Sequence, residues 1–426
     1  MTRILICPSG TEIGLEIHDA LARRRDVELV GAESTGNSHA AFVFEDNHLV
    51  PHSTDASFVE ALNALVRKRR IDYVFPAHDD VQLALLQAPT PLACKLISSP
   101  RQTVEVSRFK SRTYALLKDR VAVPRVFDGY AQAAAHLPVF VKPDRGQGSQ
   151  NTHLCRSEAQ VKAALESGPD MLICEYLGGR EVTVDCFSDR ETGLLYVDAR
   201  LRVRTRAGIS VRTAHIDLPA AEPLAKTIAS RLSFHGAWFF QLRERAPGDW
   251  VLLEVGARIP GGATYQRLRG VNLPLLSVFE AARQAVTILP QKLDVVMDRA
   301  FVSRFKLDLA FANVYVDYDD TLCLRNEPNL EVLSLVILAR HRGKKVILLS
   351  RNEGGCRAWL KERALDGLFD EVVLLDRDRA KPGCVAANSI LIDDSFAERL
   401  ACSRAGIMCF DTDAVPALVD HLRRTR

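Results

Sequence analysis

The chain has 426 residues, 47% of them hydrophobic, and at roughly 100 to 200 residues per domain this length calls for two to four packed units rather than a disordered chain or a lone coiled coil. Its 56 Lys+Arg against 53 Asp+Glu leave a net charge of +3, too balanced for coating nucleic acid or an anionic membrane, while small anionic ligands stay open. Ten cysteines form no CxxC pair, and no stretch approaches the roughly eighteen apolar residues of a membrane span, so a reduced, soluble, untargeted cytoplasmic protein is expected, with oligomerisation left open.

In chain order, short β-branched or leucine-rich runs alternate with helical patterns, which predicts an α/β fold. The first block opens with a strand at 3–7, a turn at Ser9 and Gly10 and a helix at 13–23, and repeats the scheme toward a strand at 71–76, giving a small Rossmann-like unit. Arg67 to Arg70 read as a solvated helix C-terminus favoured by the helix dipole. His78, Asp79 and Asp80 read as a polar turn after that strand. The second block holds strands at 139–142, 171–175, 182–187 and 194–206, with a closing strand at 301–309. The third alternates strands at 313–317, 346–350, 372–375, 390–393 and 407–410 with helices, as a further parallel sheet. The second and third blocks join without a linker, which predicts a close interface. The boundaries fall at 1–102, 103–309 and 310–426.

In the middle block, Lys142 stands at a strand end before a loop containing Gly146, Gly148 and Ser149. Glycines let backbone N–H groups approach phosphate oxygens while a lysine adds a point charge, although an ordinary hairpin would also fit the loop alone. Glu175 and Glu181 flank a glycine turn, positions suited to accepting hydrogen bonds from an amino group and ribose hydroxyls. Gln241 and Glu254 offer oxygen on two facing strands close to Arg258, as nucleotide-bound Mg²⁺ and a moving phosphoryl group require. In residues 198–208 arginines recur at every second position, so a regular strand would aim all four at one sheet face.

These ordered motifs resemble the ATP-grasp family, in the branch of the carbamoyl-phosphate synthase large subunit and the carboxylate–amine ligases, over residues 1 to about 309. The resemblance implies a pre-grasp Rossmann-like domain and an ATP-grasp domain with an α+β lid at about 113–178 and an antiparallel sheet. It implies ATP and Mg²⁺ as cofactors, with Mn²⁺ as an alternative metal. Lys110 and Lys142 would contact the phosphates, Gly146, Gly148 and Ser149 would form the lid loop, and Glu175 and Glu181 would hold adenine and ribose. Gln241 and Glu254 would bind the metal, Arg258 the phosphates, and Arg200, Arg202 and Arg212 an anionic substrate. One departure is Gly256, which stands where the family's Glu-x-Asn-x-Arg places a metal-binding asparagine, so the second metal position is in doubt.

In the last block a strand ends in Asp317-Tyr318-Asp319-Asp320-Thr321, and Ser350, Lys381 and Asp393-Asp394 follow in order. Clustered carboxylates repel one another unless a cation sits among them. The set resembles the haloacid-dehalogenase-like phosphohydrolases, in a form without a large cap. The resemblance implies Asp317 as nucleophile, Asp319 as general acid/base, Ser350 and Lys381 on the phosphoryl oxygens, and Asp317, Asp319, Asp393 and Asp394 around Mg²⁺. Together the two resemblances imply a bifunctional enzyme. An ADP-forming ligase would join a small-molecule carboxylate to an amine, and a fused phosphohydrolase would act on a phosphorylated metabolite. The alternatives are a ligase or kinase beside a non-catalytic scaffold, and a nucleotide-binding regulatory module.

Overall fold

The computed structural model describes residues 1–146, 148–351, 355–376 and 378–424. Backbone contacts divide the chain into two compact units, Met1–Phe301 and Val302–Arg426.

The first unit begins with a parallel sheet in which Thr2–Cys7 lies between Val27–Glu33 and Tyr73–Pro76, with Asn47–Leu49 and Lys95–Leu96 outermost. Ile4, Leu5 and Ile6 are fully buried, because both faces of a parallel sheet are covered by helices. Helix Glu12–Leu21 starts directly after the first strand, with the Thr11 hydroxyl accepting from Gly14 N at 3.1 Å. Helix Phe58–Arg69 ends in three basic residues and Arg70 takes the left-handed conformation, φ 52°, so the basic run completes a helix end.

Two antiparallel sheets follow. The smaller orders Val126–Phe127, Met171–Glu175, Val139–Pro143 and His153–Cys155. The larger has six strands, with Glu181–Asp189 between Gly193–Arg206 and Gly236–Ala246, flanked by Asp249–Gly256 on one side and Ile209–His215 on the other. Trp238 anchors its core: the ring stacks on Phe234 at 4.0 Å and its indole N–H donates to Ser188 Oγ at 2.9 Å, so the one polar atom of a fully buried side chain is satisfied.

The edge strand that ends this sheet is Val296–Asp298, paired with Arg212 to Ala214, rather than the closing strand expected at 301–309. Residues 301–310 carry no regular structure, and Phe301 and Val302 are exposed. Their alternation of apolar and charged residues imitates a strand, yet an alternating pattern makes a strand only where a sheet edge is free to pair with it.

The second unit is a parallel sheet with Asn313–Val316 at its centre. Lys345–Ser350 and Glu371–Leu374 lie on one side, Ser389–Ile392 and Met408–Phe410 on the other. Between the first two strands come only the two-residue arms Cys323–Leu324 and Glu327–Pro328 and helix Leu330–His341. No helix of the described residues is long and apolar enough to cross a membrane.

Candidate functional sites

The larger cavity of the first unit, about 450 Å³, gathers most of the expected nucleotide residues: Lys110, Lys142, Gly146, Gly148, Ser149, Glu175, Glu181, Gln241, Glu254 and Arg258 all line it. Lys142 is buried at the end of Val139–Pro143, and its ammonium donates to Tyr114 Oη at 2.8 Å. Tyr114 in turn donates to the Leu253 carbonyl at 2.6 Å. This buried tyrosine, four residues into helix Lys110–Leu117, aims the lysine and carries no sequence signal of its own. Lys110 lies against the carbonyls of Pro143, Asp144 and Gly146 at 3.3 to 3.4 Å. Burial pulls both ammonium groups below the usual lysine range, with Glu254 opposing the shift at each. Two cations held among carbonyls and an aromatic hydroxyl suit an anionic ligand.

Gln241 and Glu254 are direct cross-strand partners, so both side chains leave the same face of the sheet. Their oxygens, beside two lysines, fit one nucleotide-bound divalent cation. Gly256 is paired with Phe239, and a Cβ built at Gly256 would run into the Phe239 ring. The space of the missing asparagine is therefore filled by an aromatic side chain that also lines the cavity and sits under Arg258, 5.1 Å from ring centre to guanidinium. Gly256→Asn should lower stability by about 1–3 kcal/mol, the usual cost of overpacking, as read from chemical denaturation. Unchanged stability would show that the ring yields freely.

The acidic pair at the start of helix Asp79–Gln87 is more than a polar turn. Asp79 accepts from Arg258 Nε at 2.8 Å, and Asp80 accepts from Arg108 at 2.9 Å and Arg145 at 3.0 Å. Burial alone would raise both carboxyls, but the guanidiniums outweigh it and hold Asp79 below the usual range and Asp80 at about 2. Arg258 thus reaches the cavity from a fixed anchor at the start of helix Asp79–Gln87.

The arginine strand is not uniform. Its pairing with Ile209–His215 shifts register on either side of Arg204, so the alternation breaks. Arg200 and Arg202 line the cavity, whereas Arg204 and Arg212 face Asp298 at 2.9 and 3.9 Å. The expectation of four arginines on one face is corrected by these bulges, and Arg212 stands outside the cavity lining. Arg200 is buried and grips Asp185 with two hydrogen bonds, 2.7 and 3.2 Å, leaving Nη1 without a partner among the described residues. Thr183 Oγ1, also in the lining, is likewise unpartnered there. Such groups are costly to bury unless a ligand completes them. Glu181 meets Arg202 at 2.7 Å, and Glu175 accepts from Arg245 at 3.0 Å and from Arg125 N at 2.9 Å. The Glu175 carboxylate is largely committed to the protein. In the glycine loop, Gly148 and Ser149 adopt positive φ, 60° and 53°.

In the second unit the expected residues stand at the carboxyl ends of neighbouring strands, where the strand order reverses. Asp317, Asp393 and Asp394 bring carboxylate oxygens within 4.8 Å of one another. Lys381 donates to Asp317 Oδ1 and Asp393 Oδ2, each at 2.6 Å, and all three of these side chains are buried. Burial pushes Asp317 up to about 7 in spite of Lys381, and raises Asp393 too. Three oxygen donors short of positive charge fit a hard divalent cation. Thr321 Oγ1 braces Asp394, accepting from its N–H at 3.0 Å and lying 3.1 Å from Oδ1. Ser350 is buried at the end of its strand. Asp319 is exposed and is not part of the carboxylate trio.

Residues 167–300 match the family model described as ATP-grasp in the biosynthetic pathway with Ter operon; the match stops before the second unit. No curated protein matches the chain in sequence. Among solved structures, the biotin carboxylase domain of 2-oxoglutarate carboxylase from Hydrogenobacter thermophilus, in complex with MgADP, ADP and bicarbonate, is similar with a TM-score of 0.56 at 14% identity, over 68% of this chain and 71% of that one. N5-carboxyaminoimidazole synthetase from Staphylococcus aureus complexed with ADP gives 0.56 at 15%, over 68% and 78%. L-amino acid ligase from Bacillus licheniformis gives 0.52 at 18%, over 66% and 73%. These likenesses show the fold, a mixed α/β chain with ATP-grasp architecture.

Proposed function

We propose that the protein is a bifunctional enzyme: an ADP-forming ligase that activates a carboxylate as an acyl phosphate for attack by an amine, with a fused Mg²⁺-dependent phosphohydrolase acting on a phosphorylated precursor or product. Residues 1–102 would be the pre-grasp domain, 103–309 the ATP-grasp domain and 310–426 the phosphohydrolase. The observation that carries the ligase reading is the meeting of Lys110, Lys142, Gln241, Glu254 and Arg258 in one cavity. The relatives named above are a carboxylase domain, a synthetase and a ligase, two of them holding adenine nucleotide.

The chemistry follows from charge. A carboxylate and the γ-phosphate repel, so Lys110, Lys142 and Arg258 must offset the charge that gathers on the transferring group. Mg²⁺ on Gln241 and Glu254 would supply further charge neutralisation at the phosphates. Arg200 Nη1 and Thr183 Oγ1, both without a partner among the described residues, would donate to the substrate carboxylate. The amine would then attack the acyl carbon: the C–N bond forms, the acyl C–O bond breaks, inorganic phosphate leaves and the nitrogen gives up a proton.

In the second unit Lys381 and Ser350 would hold phosphoryl oxygens while Asp317 attacks phosphorus and the ester oxygen departs. Asp319, exposed beside Asp317, would protonate that oxygen and then deprotonate water. Mg²⁺ among Asp317, Asp393 and Asp394 would lower the repulsion between nucleophile and phosphate.

The test is ADP release in Mg²⁺ with pools of carboxylates and amines, followed by mass analysis of the product. Hydroxylamine as a small trap reports carboxylate activation separately, as a hydroxamate. Release of AMP in place of ADP would overturn the ligase reading. A second reading, nucleotide binding without turnover, is favoured by the Phe239 ring in the slot beside Gly256; ATP binding with no ADP formed across the carboxylate panel would select it.

A further inference from the structure

The first unit holds a second cavity, of about 280 Å³, that the reactions above leave unused. It lies at the carboxyl ends of Thr2–Cys7, Val27–Glu33 and Tyr73–Pro76, where the order of the parallel strands reverses. It meets the larger cavity along Thr11 and His78, which line both.

Its charge is unusual. The lining contains two carboxylates, Glu33 and Asp80, and no lysine or arginine. Asp80 is already satisfied from behind by Arg108 and Arg145. Glu33, 3% exposed, has no such cation among the described residues. Its Oε1 accepts from Asn47 Nδ2 at 2.7 Å, and Asn47 Oδ1 accepts from the fully buried Ser9 hydroxyl at 2.7 Å, so the carboxylate is held in one orientation. Its Oε2 accepts no hydrogen bond among the described residues. Gly10 packs against this oxygen so closely that a Cβ there would collide with it. The remaining polar side chains of the lining are hydroxyls, from Thr11, Ser34, Thr35, Ser38 and Ser53, and two imidazoles, His52 and His78. A buried carboxylate with a spare oxygen asks for a donor that carries positive charge, while a phosphate or carboxylate ligand would find repulsion from Glu33 and no lysine or arginine to offset it.

We infer that this cavity is the acceptor subsite, and that it takes a small primary amine, bound as its ammonium to Glu33, on a body that bears hydroxyls and no phosphate. The word acceptor rests on the ligase reading; the ligand chemistry does not. In the ligation the ammonium gives up one proton before attack and a second afterwards, the C–N bond forms, and the acyl C–O bond to phosphate breaks. The shared edge at Thr11 and His78 is the route between the subsites.

The experiment is equilibrium binding and thermal shift of the full chain with ethanolamine, serinol and glucosamine, set against N-acetylglucosamine and glucosamine 6-phosphate. At least one free amine should bind, its acetylated or phosphorylated counterpart should not, and Glu33→Gln should weaken the amine by at least about tenfold. Ser34→Tyr, on the exposed rim, should block the same ligand and keeps the test valid should Glu33→Gln fold poorly. Binding of no free amine, preference for the phosphate ester, or equal affinity in both variants would overturn the inference. None of these readouts needs ATP. Hydroxamate formation, which bypasses the subsite, fails only if the ligase reading fails.

Discussion

Lys142→Met should abolish ADP release, by roughly two to three orders of magnitude, and at the same time make the ligand-free protein more stable at neutral pH. The first half follows from position: Lys142 lines the cavity at the end of its strand with its ammonium aimed by Tyr114. The second half follows from linkage. Burial lowers the folded-state pKa of Lys142, so the folded chain carries a cost for the charged form. That cost is complete below the folded value, shrinks as pH rises toward the unfolded value, and disappears above it. Methionine keeps the volume and removes the charge. Thermal melts at pH 7 and a single-turnover ADP assay check the two halves together. A variant that is inactive and also less stable would mean that Lys142 holds the fold rather than a ligand. Tyr114→Phe should retain the fold and lose several-fold in nucleotide affinity, because it frees the ammonium from its anchor without removing it.

Asp317→Asn should eliminate phosphate release from phosphomonoesters, by roughly three orders of magnitude or more if it is the nucleophile, while ADP formation by the first unit continues. The sign of its stability effect is again positive. Burial raises Asp317 to about 7, so the folded unit favours the protonated form. The resulting penalty is in force above pH 7, fades as pH falls toward the ordinary carboxyl range and is gone below it. At pH 8 the asparagine variant should therefore gain about 2 kcal/mol, less than the full shift because Lys381 loses one of its two partners. Mg²⁺ should reverse the order, stabilising the native protein through Asp317, Asp393 and Asp394 and leaving the variant almost unchanged. Equal Mg²⁺-dependent melting shifts in the two proteins would remove the metal from this cluster. Undiminished phosphate release by the variant would remove Asp317 from the chemistry.

What the sequence made legible was local. A β-branched run followed by Asp317, Ser350 or Asp393 identifies the end of a parallel strand, and the structure puts these residues at neighbouring strand ends. Lys142 and the Gln241–Glu254 pair were readable because each belongs to a short motif on a strand, and Lys110 because it lies in the short run Ser107 to Lys110 that opens a helix. What escaped depended on register and on distant partners. The bulges around Arg204 are invisible in a regular Arg-x-Arg alternation. The tie between Asp79 and Arg258 joins residues 179 apart in the chain. The false strand at 301–309 had the right alternation, but the place beside Ile209–His215 is taken by Val296–Asp298. Glu33 shows no motif at all, because its significance comes from the parallel order of Thr2–Cys7 and Val27–Glu33 and from the lack of a lysine or arginine in the cavity lining.

The fit of the Phe239 ring beside Gly256 has a consequence for how this site can change. A larger residue at 256 collides with the ring, and a smaller one at 239 leaves a void and removes the aromatic face under Arg258, each alone a loss of order 1–5 kcal/mol. Only the two replacements together reopen the position to an asparagine, so their effects should be strongly non-additive. Mutational drift one step at a time meets a valley on either path, and the divergence at Gly256, once fixed, is self-locking.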